Sequence, residues 1–206
     1  MLKIFVAKGA CSLASHIALE ESGVAYEARR LDLARGDQQS PDYLALNPKA
    51  RVPTLVTDRG ALTETPAILA FVAQTVPQAR LAPLDDPFTF AELQSVLSYL
   101  CSTVHVAHSH GRRGYRWADD PAALEAMKAK VPETMAACFG LIETSLFRGP
   151  WVMGEAYTVA DPYLFTLATW LEGDRVDPAR FPKVLDHRNR MAERPAVKHV
   201  LAFYEG

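Results

Sequence analysis

A chain of 206 residues, 49% apolar and 22% charged, has enough hydrophobic material for a buried core and is too ordinary in composition for disorder. Its net charge of −2 and pI near 6.3 leave no basic surplus for a phosphate backbone, and the one basic cluster, Arg112, Arg113 and Arg116, is short, so nucleic acid is not an expected partner. The start carries no apolar core of secretory length, and no segment approaches the ~20 apolar residues of a membrane span, which gives the expectation of a cytoplasmic protein that does not enter a membrane.

Leu2 to Val6, LKIFV, reads as a strand. After a loop with one glycine, Leu13, Ala14, Ile17 and Ala18 recur at helical spacing until Ser22-Gly23 supplies a stop. Tyr26 to Leu33 reads as a second strand, Pro41 to Leu46 as a short helix, Pro53 to Thr57 as a third strand and Ala61 to Thr63 as a brief fourth. Thr65-Pro66 opens a helix whose Ile68, Leu69, Val72 and Val76 share one face. The alternation of strands and helices predicts an α/β unit over residues 1–78.

Residues 79–87 form a proline-rich linker, and beyond it the strand signals vanish. Helical patterns cover Phe88 to about Gly111 and Pro121 to Phe147, the second expected to kink or break at Pro132. Thr158 and Asp161 fit a capping box, in which each side chain answers a free backbone N–H at a helix start. Phe181 to Glu193 and Pro195 to Phe203 complete an all-helical unit over 88–206.

Cys11, Cys101 and Cys138 are odd in number and lack C-x-x-C spacing, which argues against a disulfide framework or a zinc site and leaves the thiols free. Cys11 stands at the start of the first helix, on a loop at the carboxyl end of a strand. There the helix dipole would stabilise a thiolate, with Lys8 adding to the effect; the alternative is a buried structural cysteine. In LTETPAI, Thr65 as N-cap would leave backbone N–H groups for an anion, while Glu64 could pair with a cation, a combination suited to an amino-acid zwitterion. The bland reading is a well-made helix start beside a solvated charge. Val52-Pro53 precedes a strand, and composition alone gives no reason to expect a cis bond there.

These pieces, in this order, are where the chain resembles the cytosolic glutathione transferases, most closely the bacterial beta class, whose start has the form PGACSLASHI where this chain has KGACSLASHI. The likeness runs over essentially the whole chain, through NPKARVP, LTE, the LAP of the linker, YTVADPYLF and the closing RMAERP. It implies a thioredoxin-like N-terminal domain, an all-helical C-terminal domain, a homodimer, and glutathione as co-substrate without a metal. It further implies that Val52-Pro53 is cis, with Val52 pairing with the backbone of glutathione's cysteinyl residue. Glu64 and Thr65 would take the γ-glutamyl ammonium and carboxylate, and Cys11 would lie against the glutathione sulfur. A family histidine on the first long helix of the second domain aligns, through LSYLCSTVH, with His105. His108 and His110 follow on the same stretch, and the three together could instead be read as a metal cluster, though no carboxylate or cysteine accompanies them at helical spacing.

Two departures from the family pattern bear on the site. Arg35, in LARGDQQ, stands near a family lysine that meets the glycyl end of glutathione, and the loop is one residue shorter. Ser98 and Thr103 replace an asparagine and a glutamate that help hold glutathione, partly from the neighbouring subunit. The reading that follows is a glutathione transferase whose bound thiolate attacks a small electrophile, with thiol transferase or peroxidase chemistry through Cys11 as a second possibility. One cysteine at the site excludes a self-contained dithiol cycle on this reading. The rival is a non-catalytic module that keeps the fold and works by contacting another protein.

Overall fold

A computed structural model describes residues 1–205. Strand β1 (Leu2–Val6) leads into helix α1 (Ser12–Ser22), which Gly23 ends in the left-handed conformation at φ 71°, its N–H bonded to Glu20 O at 3.1 Å. β2 (Tyr26–Arg30) pairs parallel to β1. The strand stops short of the expected Leu33 because the Asp32 carboxylate accepts from the N–H groups of Ala34 and Arg35, while Asp37 Oδ2 accepts from Asp32 N, turning the chain away. After α2 (Pro41–Leu46), β3 (Thr54–Thr57) and β4 (Gly60–Thr63) add antiparallel to give a mixed sheet of order β2-β1-β3-β4. Helix α3 (Thr65–Thr75) packs beside α1, and Ile4, Val6, Leu55, Ile17, Ile68 and Leu69 are fully buried between these layers.

The remainder is helical: α4 (Pro87–Tyr99), α5 (His105–Arg113), α6 (Pro121–Leu141), α7 (Ala160–Ala168), α8 (Pro182–Glu193) and α9 (Pro195–Glu205). The stretch expected as one helix from Phe88 to Gly111 is interrupted by a π-helical turn, Leu100–Val104, which separates α4 from α5 and reorients the side chains that follow. A second π turn, Ile142–Leu146, ends α6. Pro132 does not break α6. Lys128 O, the carbonyl that proline leaves without its helical donor, accepts from Arg175 Nη2 at 3.3 Å, so the lost bond is replaced from outside the helix.

Helix α1 joins the two halves. It is buried along nearly all its length and touches α3 on one side and α7 and α9 on the other. His16 Nδ1 lies 3.0 Å from the Tyr204 hydroxyl, and Glu21 receives a bidentate pair from Arg194 at 2.5 and 2.8 Å. Every residue of α7 is buried, as befits the central helix of the bundle. Its first turn holds Asp161, wholly buried, which accepts from Thr158 N (2.7 Å), Val152 N (2.9 Å) and His187 Nε2 (3.0 Å). The capping box is present, with the Thr158 hydroxyl accepting from Ala160 N at 3.3 Å, and the carboxylate also ties the preceding loop and α8 to the helix.

Both buried groups have measurable consequences. Asp161→Ala removes the acceptor of these three donors and of the Thr158 hydroxyl, and should cost about 3–5 kcal/mol in chemical denaturation; a loss under about 1 kcal/mol would remove Asp161 from this role. Burial holds the His16 imidazole down to about 4. The unfolded chain therefore takes up a proton that the folded one refuses as pH falls below about 6.5, and stability should drop by about 2 kcal/mol from pH 7 to 5 at this residue. His16→Gln should flatten that decline, and an unchanged slope would exclude His16 as its source.

Candidate active site

One cleft of about 600 Å³ lies between the two halves, a volume typical of small-molecule sites. Its N-terminal wall begins with the loop after β1, where Gly9 at φ 70° supplies the left-handed turn and Ser12 Oγ, accepting from Ala7 N at 3.1 Å, closes the loop onto α1. Cys11 occupies the N-cap position of α1 without using its side chain as a cap, so the thiol is free to face the cleft. Cys11 Sγ donates to Val52 O at 3.5 Å.

That carbonyl belongs to a loop held from beneath. Val52-Pro53 is cis. Buried Asn47 donates from Nδ2 to Arg51 O (2.7 Å) and Thr54 Oγ1 (3.0 Å), accepts from Lys49 N at Oδ1 (3.1 Å), and is joined by the Tyr43 hydroxyl, which donates to Arg51 O at 2.6 Å. Val52, Pro53 and Arg51 line the cleft as a result. Neither Asn47 nor Tyr43 stands out in the sequence as a supporting residue, although an asparagine immediately before a proline is itself a turn signal.

At the next loop the N-cap of α3 is Glu64, not Thr65 as expected; Thr65 is the first helical residue. Glu64 takes φ 73°, a region that disfavours a side chain, and this turns its carboxylate outward while Thr65 is buried against Cys11. Both residues still line the cleft. The Glu64 carboxylate is ion-paired with Lys49, whose Nζ also donates to Thr63 Oγ1 at 2.6 Å, a partner that the sequence pattern does not announce.

The opposite wall comes from α5, the π turn before it, and α7. His105 lines it, packed against Trp170 with ring centroids 5.1 Å apart. Burial, reinforced by His108, Arg113, Arg116 and Arg51, holds its imidazole down to about 4, so it is neutral at neutral pH. His108 is committed elsewhere: Nδ1 pairs with Asp174 Oδ2 at 2.7 Å, and the ring stacks on Trp170 at 4.1 Å. His110 packs on Trp117. His105 and His108 share Trp170 while His110 packs on Trp117, and no group of three or more potential metal ligands occurs among the described residues.

The expectation of a depressed Cys11 pKa is overturned. Burial pushes the thiol up, with the Thr65 side chain and Arg113 pulling more weakly in the opposite direction. The resting group is a thiol that donates to Val52 O. A second thiol, Cys101, is also present, carried into the cleft by the π turn, in a lining that Tyr163 shares. The inference of a single cysteine at the site is thus incorrect, because residues 90 positions apart cannot be placed together by local pattern. Arg35 is exposed on its loop and does not line the cleft, and Ser98 and Thr103 are exposed outside it.

The chain is similar to known proteins over nearly its whole length. The family model described as the N-terminal domain of glutathione S-transferase matches residues 2–74, and that of its C-terminal domain matches 107–202. Glutathione S-transferase GstA of Escherichia coli O157:H7 is 32% identical over 98% of each chain. A glutathione transferase homologue from Sulfitobacter, solved with bound glutathione, superposes with a TM-score of 0.95 at 46% identity over 98% of each chain. The bacterial beta-class glutathione S-transferase of Sphingomonas chungbukensis gives 0.85 at 35% identity, again over 98% of each. With a thioredoxin-like sheet domain, a helical domain and this cleft between them, the chain belongs to the glutathione S-transferase family.

Proposed function

We propose that the protein is a glutathione transferase that binds glutathione along the Cys11, Val52 and Thr65 wall and adds its thiolate to a small electrophile held against the helical wall. The observation that carries this reading is the convergence of Cys11, Val52, Glu64, Thr65 and His105 on one cleft. Val52, at the cis bond to Pro53, presents its backbone to the cysteinyl residue of glutathione. The first turn of α3 at Thr65 receives the γ-glutamyl carboxylate, and Glu64 receives the ammonium after exchanging Lys49 for it. Arg51, on the cleft wall beside Val52, suits the glycyl carboxylate better than exposed Arg35 does.

Cys11 acts in this scheme as a hydrogen-bond donor and keeps its proton. Its S–H, now directed at Val52 O, turns to the glutathione sulfur and favours the anion there, assisted by the end of α1. Neutral His105 is able to accept a proton or hydrogen bond close to the reacting sulfur, a role closed to an imidazolium. Conjugation is favoured over thiol transfer because Cys11 rests as a thiol. Disulfide exchange, in which Cys11 sulfur bonds to one sulfur of glutathione disulfide and expels glutathione thiolate, would be slow at neutral pH.

A homodimer fits the exposure of Leu84 (38%) and Phe88 (75%) at the start of the helical half, and Ser98 and Thr103 would reach glutathione only across such an interface. No helix among the described residues is long and apolar enough to cross a membrane, and action in a glutathione-rich cytoplasm suits three free thiols.

Three measurements test the scheme. His105→Ala should lower kcat with chlorodinitrobenzene by about 100-fold while leaving the KM for glutathione within about threefold; an unchanged kcat would move the role elsewhere. Lys49→Ala should tighten glutathione by up to about fivefold, the worth of an exposed ion pair that no longer has to be broken; weaker binding would make Lys49 a glutathione contact instead. On treatment with glutathione disulfide, adduct formation read by mass should accelerate about tenfold per pH unit from 7 to 8 and vanish in Cys11→Ala. A rate independent of pH would mean that Cys11 is already ionised.

A further inference from the structure

Glutathione's own charges do not account for the electrostatics of the cleft. Its lining contains three guanidinium groups, Arg51, Arg113 and Arg116, and one carboxylate, Glu64, which Lys49 already neutralises. Among the described residues none of the three arginines forms an ion pair with a carboxylate. The nearest histidines add no compensation: His105 is neutral and His108 is tied to Asp174. Holding three like charges around one cavity is unfavourable, and the strain is visible in Arg116, whose proton affinity is lowered by desolvation and then by Arg51 and Arg113.

Glutathione brings two carboxylates and one ammonium. In the proposed binding mode, one carboxylate goes to the first turn of α3 and the other to Arg51. Arg113 and Arg116 are then left over on the helical wall, where the electrophile must sit. Both line the same cleft as His105 and Cys11 and push the His105 imidazole toward its neutral form, and Arg113 pulls the Cys11 thiol down. Tyr115 and Trp117, at 63% and 49% exposure, flank the two arginines at the mouth of the cleft; Trp117 is already packed against His110, and Tyr115 offers an exposed aromatic ring.

We infer that Arg113 and Arg116 form a carboxylate-binding subsite, and that the electrophiles this protein prefers are planar, conjugated compounds carrying a carboxylate, such as carboxylated aryl halides. A guanidinium fork matches a carboxylate in two parallel hydrogen bonds, which fixes the ring in the plane needed for attack by sulfur. In substitution on such a ring the C–S bond forms, the ring takes up the electron pair, and chloride then leaves with that pair; the same two cations stabilise the added charge.

This inference rests on the transferase reading, and the experiment separates the two. Turnover of chlorodinitrobenzene and of its carboxylated analogue, chlorodinitrobenzoate, is compared at saturating glutathione, each kcat/KM divided by the uncatalysed rate constant. The expected result is at least a tenfold preference for the benzoate, weakened by added salt and reduced at least fivefold in the Arg113→Gln/Arg116→Gln double variant. Equal acceleration of the two compounds, or equal losses for both in the variant, would overturn the subsite and assign the arginines to glutathione. If neither compound turns over, the transferase reading fails instead. Quenching of Trp117 and Trp170 fluorescence by dinitrobenzoate against dinitrobenzene still decides the subsite in that case, since tighter binding of the anion, lost in the double variant, supports it and equal binding overturns it.

Discussion

Helix α1 has almost no solvent face, and the cleft inherits its geometry from that constraint. An eleven-residue helix with a buried face on every side is confined by the sheet, by α3, and by α7 and α9, so it cannot rotate or slide without opening several packed surfaces at once. Its last turn is tied to the far end of the chain through Glu21 and Arg194, whose guanidinium also sits over Tyr157 at 4.1 Å. The first turn is thereby fixed at the cleft. Cys11 is positioned by the whole helix, and its thiol is then directed by one hydrogen bond to Val52 O.

Two effects compete at that sulfur, and their sizes decide its state. A helix N-terminus is worth about 0.3–1 kcal/mol to an anion in most settings, less than one pKa unit. Removing a thiolate from water can cost several units. Desolvation wins at Cys11, and the same imbalance keeps His105 neutral despite its imidazole being the natural proton carrier near neutral pH. The protein thus presents an uncharged pair at the centre of the cleft and reserves formal charge for the periphery.

Features encoded within a few residues are legible in the sequence by itself. The Ser22-Gly23 stop, the Thr158 and Asp161 box and the first strand depend on local backbone chemistry and stand where the pattern puts them, while the second strand ends three residues early and the helix at Pro66 opens one residue sooner than its expected cap. The family resemblance carries the cis bond at Val52 and the alignment of His105, neither of which spacing can supply. What escapes the sequence depends on distant partners. Pro132 keeps its helix because Arg175, beyond the next loop, supplies a donor. Cys101 enters the cleft through a π turn that no periodicity announces. The shift of the N-cap from Thr65 to Glu64 turns on a left-handed backbone that a glutamate rarely adopts, and Lys49 waits 15 positions upstream to meet it. The sign of the Cys11 shift is hidden for the same reason, since helix position is local and desolvation is not.

The arrangement of charge around the neutral centre has a directional logic. On the sheet side, Glu64 and the start of α3 offer one negative and one positive feature close together, a match for the two ends of an amino-acid group and a poor match for a simple anion or cation. On the helical side there is only positive charge. In the proposed scheme a molecule with both signs goes to the sheet wall, where Arg51 takes its second carboxylate, and a purely anionic one goes to the helical wall, so two substrates that are both net anions are sorted without competing for the same groups. Cys11 and His105 line the same cleft between these walls, where the proposed binding mode brings the sulfur of the first substrate to the ring of the second. A thiolate at rest on Cys11 would attract Arg113 to itself and screen the very cation that the second substrate needs. The protonated thiol leaves that cation free, and so the desolvation that denies Cys11 an early charge also preserves the positive field of the helical wall.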